Sequence, residues 1–395
     1  MKENESALYS QYIIDGIRCE MTPAELLDEC MECPDEVMAD GEVALCFNDI
    51  IDESTEPPLS SFQYDRSRFD EYLARTCAAS AEEREFTMLY PDHFTRLQIS
   101  RALISRLWSE GHFRLGNLRI WAQWDWNTRP IGNMASFYGS VSAASDYIYG
   151  LGVRMSDYLF LESDGRSSAR FFAWLPDTPG PDISPGEEMH PYAEENMLFK
   201  SSPYESRHPW ISEKRKCPGV MNRDRSSWLL YIPFDTCSFR LGGSLLSQVF
   251  GHNGGRSPQI SDPDYFIDCY EVVRELVEDG IVTAGTGVCD GGLATAAERF
   301  CGKSGIDLDI CGLLSSYQEA DAARILFGEI PGVLIQISDE NYDYVDSQFI
   351  LQDIAYYPVG HPCEDHEGVR VNDSCRNGVA GILASLLGQT SEGED

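Results

Sequence analysis

Lysine is nearly missing from this chain. Of 30 Lys+Arg residues only those at positions 2, 200, 214, 216 and 303 are lysine, so any cationic pocket must be built mainly from guanidinium groups. Positive charge is scarce altogether: 65 Asp+Glu leave a formal net charge of −35. A surface this negative repels phosphate backbones and anionic lipid, which argues against nucleic acid and membranes as partners. It reads first as a solubility device, including in a salty cytoplasm, and second as an attraction for a basic partner. No apolar run reaches the roughly eighteen residues that a spanning helix needs. Met1-Lys2-Glu3-Asn4-Glu5 is polar with no apolar stretch behind it, so a secretory signal is not expected and the chain reads as cytoplasmic.

Apolar material is ample. Hydrophobic residues make up 43% and aromatics 11% of the 395 residues, enough for two or three domains with sizeable cores. The 13 cysteines are scattered, and Cys237, Cys269, Cys289, Cys301 and Cys311 lie in apolar surroundings, the pattern of buried thiols in a reducing compartment rather than of a disulfide framework. Cys30 and Cys33 form the one CxxC pair, but Cys19 and Cys46 flank it too loosely to complete a metal signature. His361-Pro362-Cys363-Glu364-Asp365-His366 also offers metal-ligand types, and reads better as an acidic surface loop after a strand.

Residues 1–85 form an acidic region without an interpretable motif, in which Thr22 caps a short helix from Pro23 and Glu42–Phe47 reads as a strand. Residues 86–175 form a unit: a helix over Leu97–Leu107, a strand over Leu118–Trp124, a helix over Met134–Tyr149 stopped at Gly150-Leu151-Gly152, and a strand over Arg170–Leu175. Residues 176–225, rich in Pro, Ser, Glu and Arg, read as an insertion or linker. Residues 226–385 alternate strands (228–234, 281–284, 333–337, 354–359) with helices opened at Gly242-Gly243-Ser244, Asp262-Pro263 and Gly291-Gly292, and an apolar helix over Val379–Leu387 precedes an acidic tail, 386–395. The alternation predicts an α/β fold of two related halves.

Four ordered segments carry a resemblance. Arg240-Leu241-Gly242-Gly243-Ser244-Leu245-Leu246-Ser247-Gln248, Val288-Cys289-Asp290-Gly291-Gly292-Leu293, Leu326-Phe327-Gly328-Glu329 ahead of Val333–Ile337, and Ala355–Gly360 resemble, in order and spacing, motifs of the ATP-dependent half of large-type phosphoribosylformylglycinamidine synthases. Weaker similarity through Leu118–Trp126 and Ala135–Gly152 extends it over about residues 95–385. The resemblance implies the aminoimidazole ribonucleotide synthetase-like fold: an N-terminal α/β domain that pairs into a barrel, and a C-terminal α/β domain. One copy of the first domain implies a homodimer through it, with Trp121, Trp124 and Trp126 on or beside the interface strand, or alternatively facing the core.

The family reaction phosphorylates an amide oxygen with ATP and displaces phosphate with ammonia, which requires Mg and cationic groups around the triphosphate. Where the resemblance places a metal-binding Glu and Asn, this chain aligns Arg101 and Ser105; where it places a Gly-Lys-Asp-Ser turn, the chain has Val153–Ser163 without lysine or glycine; and where it places His-Asp, the chain has Thr286-Gly287. Asp290 is the metal candidate that persists, and one carboxylate makes a poor Mg site. No glutaminase domain is expected. Gly242, Gly243, Ser244, Asp290, Gly291, Gly292 and Arg101 are the candidate nucleotide or phosphate contacts. Each glycine is better explained by a tight strand-to-helix turn than by anion binding, and Asp290 at such a turn is also a natural helix cap. Three functions stay open: a degenerate, non-catalytic binding or regulatory homologue, which ranks first; an active ATP-dependent C–N ligase or nucleotide-binding relative of purine biosynthesis; and a structural subunit pairing with a true synthase.

Overall fold

The computed structural model describes residues 7–31, 66–79, 89–175, 215–251, 255–319 and 321–371. The strand expected at Glu42–Phe47, the tail helix at Val379–Leu387, Cys33, Cys46 and most of the 176–225 insertion lie outside them.

The chain opens with a hairpin, β1 (Ile13–Ile14) and β2 (Ile17–Arg18), turned by Asp15 and Gly16 with φ of 52° and 83°. Two successive positive φ values match the twist of a tight two-residue hairpin loop. Helix α1 (Pro23–Met31) follows. Thr22 and Glu25 cap it reciprocally: the Thr22 N–H donates to Glu25 Oε2 at 2.7 Å, and the Glu25 N–H to Thr22 Oγ1 at 3.3 Å. Helix α2 (Arg66–Ala78) packs on the C-terminal half, where Tyr72 meets Phe250 and Phe327 edge-on.

The first unit consists of α3 (Pro91–Leu107), β3 (Arg119–Trp126), α4 (Asn133–Gly150), β4 (Arg154–Glu162) and β5 (Ser168–Trp174). Its sheet runs β4-β3-β5, with β4 parallel and β5 antiparallel to the central β3. Strand β4 occupies the stretch that lacks the family's lysine turn. Trp121, Trp124 and Trp126 are all buried on this central strand: Trp124 and Trp126 face the core beneath α3 and α4, whereas Trp121 lies on the opposite face against Phe172. Trp124 Nε1 donates to Ser140 Oγ of α4 at 2.9 Å, which satisfies its one polar atom.

The second unit contains β6 (Trp228–Pro233), α5 (Leu245–Val249), α6 (Pro263–Glu278), β7 (Val282–Val288), α7 (Gly292–Cys301), β8 (Gly305–Leu308), α8 (Cys311–Ser316), α9 (Ala322–Phe327), β9 (Gly332–Ile337), α10 (Tyr342–Leu351), β10 (Tyr357–Gly360), β11 (Pro362–Cys363) and β12 (Gly368–Val371). One antiparallel sheet runs β10-β6-β9-β7, and a smaller one runs β11-β8-β12. The larger sheet is covered on both faces. Leu230, Ile232, Val333, Ile335 and Ile337 join a core shared with α3, α4 and α6, whereas Leu229, Tyr231, Ala284, Val288 and Leu334 join a second core under α7, α8 and α9. Burial on both faces is why β6 and β9 read as continuous apolar runs instead of alternating. Among the described residues nine cysteines are free, but Cys311 is disulfide-bonded, which corrects its reading as a buried thiol. No helix among the described residues is long and apolar enough to cross a membrane.

Candidate functional site

The glycine turns meet at one place. The Leu241–Ser244 turn feeds α5, and Cys289–Gly291 connects β7 to α7. Gly243, Gly291 and Gly292 have φ of 70°, 80° and 68°, the left-handed region that glycine enters without a Cβ penalty. Close approach matters as much as φ here. A Cβ on Gly292 would lie 2.7 Å from the Phe327 carbonyl carbon, and one on Gly243 would lie 2.6 Å from the Tyr90 ring. The Leu326–Glu329 segment is thereby seated directly on the Gly291-Gly292 turn.

Glu329 joins the two turns. It is fully buried, and its Oε1 accepts the N–H of Leu245 at 2.9 Å and of Gly291 at 2.7 Å. These are the N-terminal N–H groups that an external anion would seek. The protein's own carboxylate already takes them, and the positive ends of α5 and α7 stabilise its charge. Ser244 is absorbed in the same way: it caps α5, its Oγ accepting the Ser247 N–H at 3.2 Å and donating to Ser247 Oγ at 3.1 Å. Gly242 lies against the backbone of Arg256, whose carbonyl accepts its N–H at 2.9 Å.

Asp290 points the other way, towards α3. It does not cap α7; the cap position is Gly291. The nearly buried Asp290 carboxylate accepts from Gln98 Nε2 at Oδ1, 3.1 Å, and from an Arg101 guanidinium N–H at Oδ2, 2.9 Å. Arg101 and Asp290, 189 residues apart, are thus one ion pair, reinforced by Gln98 one helical turn before Arg101. Cys289 beside them is buried, and burial, helped by the Asp290 charge, pushes its thiol far up, which disfavours a nucleophilic thiolate. Ser105 faces elsewhere: its Oγ donates to the Ala102 carbonyl of its own helix at 2.6 Å.

The floor between α3 and β7 is filled. A Cβ on Gly285 would overlap the Trp108 ring, and one on Gly287 would sit 3.0 Å from Ile104 Cγ2. The glycines of β7 admit apolar side chains of α3 beside Thr286-Gly287, where the family resemblance calls for His-Asp. Arg106, on the same helix, is buried, and that burial draws its guanidinium down from its ordinary value.

The sequence reading missed Gln98 and the Gly285–Trp108 contact, and took Glu329 only as part of the Leu326–Glu329 motif without its role between the turns. Glu329 did carry a signal, being one acid within the apolar stretch Ile325–Ile337. A charge so placed is either buried with partners or misplaced. Gln98 and Trp108 carried none, since only the packing of α3 on β7 brings them in.

Comparison with known proteins places this geometry. Residues 236–371 match the family model described as AIR synthase related protein, C-terminal domain. The probable phosphoribosylformylglycinamidine synthase, chloroplastic/mitochondrial, of Arabidopsis thaliana is 28% identical over 276 residues, 69% of this chain and 18% of that protein. The phosphoribosylformylglycinamidine synthase of Homo sapiens is 26% identical over 159 residues, 39% of this chain and 12% of that protein. The chain thus spans less than a fifth of the length of these relatives. The structure of T. maritima PurL complexed with FGAR superposes with a TM-score of 0.50 at 12% identity, covering 80% of this chain and 50% of that one, a likeness of fold. The chain is a mixed α/β protein related in sequence to phosphoribosylformylglycinamidine synthases, with an AIR synthase-related C-terminal domain at residues 236–371.

Proposed function

We propose that this chain is a non-catalytic relative of the ATP-dependent synthase, acting in binding or regulation. One observation carries the reading: the Arg101–Asp290 pair. Both oxygens of the carboxylate that should hold Mg are taken by donors, one of them a guanidinium at 2.9 Å. A guanidinium is no metal ligand and repels a divalent cation. The donor set therefore does not fit Mg, and no phosphoryl-transfer step is derived through it. The Trp108 and Ile104 side chains against Gly285 and Gly287 add to this, because they leave apolar surface where a triphosphate site wants cations. Glu329 on the N-terminal N–H groups of α5 and α7 further lowers the capacity of the Gly242–Ser244 and Asp290–Gly292 turns to take a phosphate.

The relatives' name makes an ATP-dependent C–N ligase the competing reading, and Arg101 is the group through which weak nucleotide binding without turnover would act. Two measurements on the purified chain decide. MgATP is expected to leave the melting temperature nearly unchanged, since a ligand that binds only the native state must raise it. Phosphate release from ATP is expected to be independent of formylglycinamidine ribonucleotide, with glutamine or with ammonia. Substrate-dependent phosphate release that Asp290→Ala abolishes would overturn the proposal. We further propose self-association through the first unit, whose β4 and β5 are the outer strands of the open sheet. A monomer in light scattering at micromolar concentration rules that out.

A further inference from the structure

The small sheet β11-β8-β12 carries a second cluster, remote in sequence from the glycine turns. Strand β8 pairs with β11 antiparallel on one side, Cys363 opposite Gly305, and with β12 parallel on the other, Arg370 opposite Asp307. Residues 364–367 link the two flanking strands and so must cross β8. Gly305 and Asp307 lie two apart and share one face of β8, while Ile306 and Leu308 are buried on the other. The crossover lays His366 on that outer face. A Cβ on Gly305 would overlap the imidazole, so the glycine is what admits the ring. The His366 side chain is only 3% exposed although it belongs to a surface link.

Three different donors converge there. Ligand atoms of Asp307, Cys363 and His366 all lie within 4.8 Å of one another. His366 Nε2 is 3.1 Å from Asp307 Oδ1, and Nδ1 is 3.3 Å from the Glu367 carbonyl. With Nδ1 donating to that carbonyl, Nε2 offers its lone pair beside the Asp307 carboxylate, the tautomer in which the ring can ligate a cation; with Nε2 as the donor, the ring instead closes a direct hydrogen bond to Asp307. A histidine that donates one N–H to a backbone carbonyl and turns its other nitrogen to further donors is the usual orientation of a metal ligand. Competing charge is accounted for: Glu364 and Asp365, in the same link, lie 3.2 and 3.4 Å from the Arg225 guanidinium.

We propose that Asp307, Cys363 and His366 form a binding site for a first-row divalent cation, with zinc the preferred ion. One sulfur, one nitrogen and one oxygen donor suit a borderline-soft ion and not Mg or Ca, which take oxygen. Zinc bond lengths of about 2.0–2.3 Å set the donors of a tetrahedron roughly 3.3–3.8 Å apart, so small side-chain shifts within the 4.8 Å cluster bring all three onto one ion. Asp307 is 60% exposed, so the fourth position opens to water. Binding releases the Cys363 thiol proton and pins the crossover to β8, which makes the role one of holding β11 and β12 together. The site is independent of the reading given to Arg101 and Asp290.

The test uses the full chain, stripped with a chelator and titrated with Co2+ and then Zn2+. One Co2+ per chain is expected, with a thiolate-to-cobalt charge-transfer band that Zn2+ displaces. Cys363→Ser should abolish the band, and His366→Gln and Asp307→Asn should each weaken affinity by at least about tenfold. Asp307 is exposed, so its variant is the one least at risk of misfolding. Zn2+ should raise the melting temperature of the native chain but not of Cys363→Ser. Absence of the band, a band undiminished in Cys363→Ser, or affinity unchanged in both other variants would each overturn the site.

Discussion

At the scale of single residues, acids with buried oxygens divide by how they are compensated. Glu329 and Asp290 have N–H or guanidinium donors. Asp321 is less well served: Oδ1 accepts the Ala323 N–H at 2.9 Å as the cap of α9, but Oδ2 is buried without a hydrogen-bond partner among the described residues. Burial above all pushes its carboxyl up to about 7; the Ala323 hydrogen bond opposes this and the Glu319 charge adds to it. Glu319 is itself held by Arg324 at 3.1 Å and Arg240 at 3.5 Å. Since the folded value lies above the unfolded one, the native state keeps a proton that the unfolded chain loses between about pH 4 and pH 7. Stability therefore falls as pH rises through that window, and the cost is complete above it. We predict that Asp321→Asn, which keeps the capping oxygen, matches the native chain near pH 4 and gains on the order of 1–2 kcal/mol above pH 7, allowing for solvent screening. Melting curves across that range test this, and a gain that does not vary with pH defeats it.

At the scale of elements, helix α3 and strand β7 meet through missing side chains. Gly285 and Gly287 lower the β7 surface so that Trp108 and Ile104 lie on the backbone. We predict that Gly285→Ala costs about 1–3 kcal/mol, the usual penalty for overpacking, and that adding Trp108→Leu recovers part of it. Denaturant midpoints of the two variants supply the comparison; an unchanged midpoint for Gly285→Ala means that the contact yields freely. This is also where legibility in the sequence ended. The helix starts at Asp262-Pro263 and Gly291-Gly292 were readable because caps and left-handed turns are local chemistry, and α6 and α7 begin there. Strand β8, with four residues, and β11, with two, offer too little pattern to read, and β4 is apolar in places on both faces. Arg101 and Asp290 could each be nominated as site residues, but their pairing could not, since nothing local links positions 189 apart. The histidine–cysteine link at 361–366 read as surface loop for the same reason: Asp307, its third donor, comes from another strand.

At the scale of the whole molecule, one sheet serves two cores. Strands β6 and β9 lend one set of side chains to the first unit and the alternate set to α7, α8 and α9, so loss of the sheet exposes both cores at once. Glu329 stands at the entry to β9 and joins stretches of chain 84 and 38 residues away with a single oxygen. The consequence is one of time rather than of energy. An oxygen that must meet two separately built turns cannot engage until both exist, so it acts as a latch closed late in folding and opened early in unfolding. Interactions absent from the transition state set how long the native state lasts and not how fast it forms. Glu329→Gln is therefore predicted to shorten the native lifetime and raise the unfolding rate while leaving the refolding rate nearly as it was. Stopped-flow chevrons read both limbs, and a loss carried by the refolding limb would mean that the latch closes first.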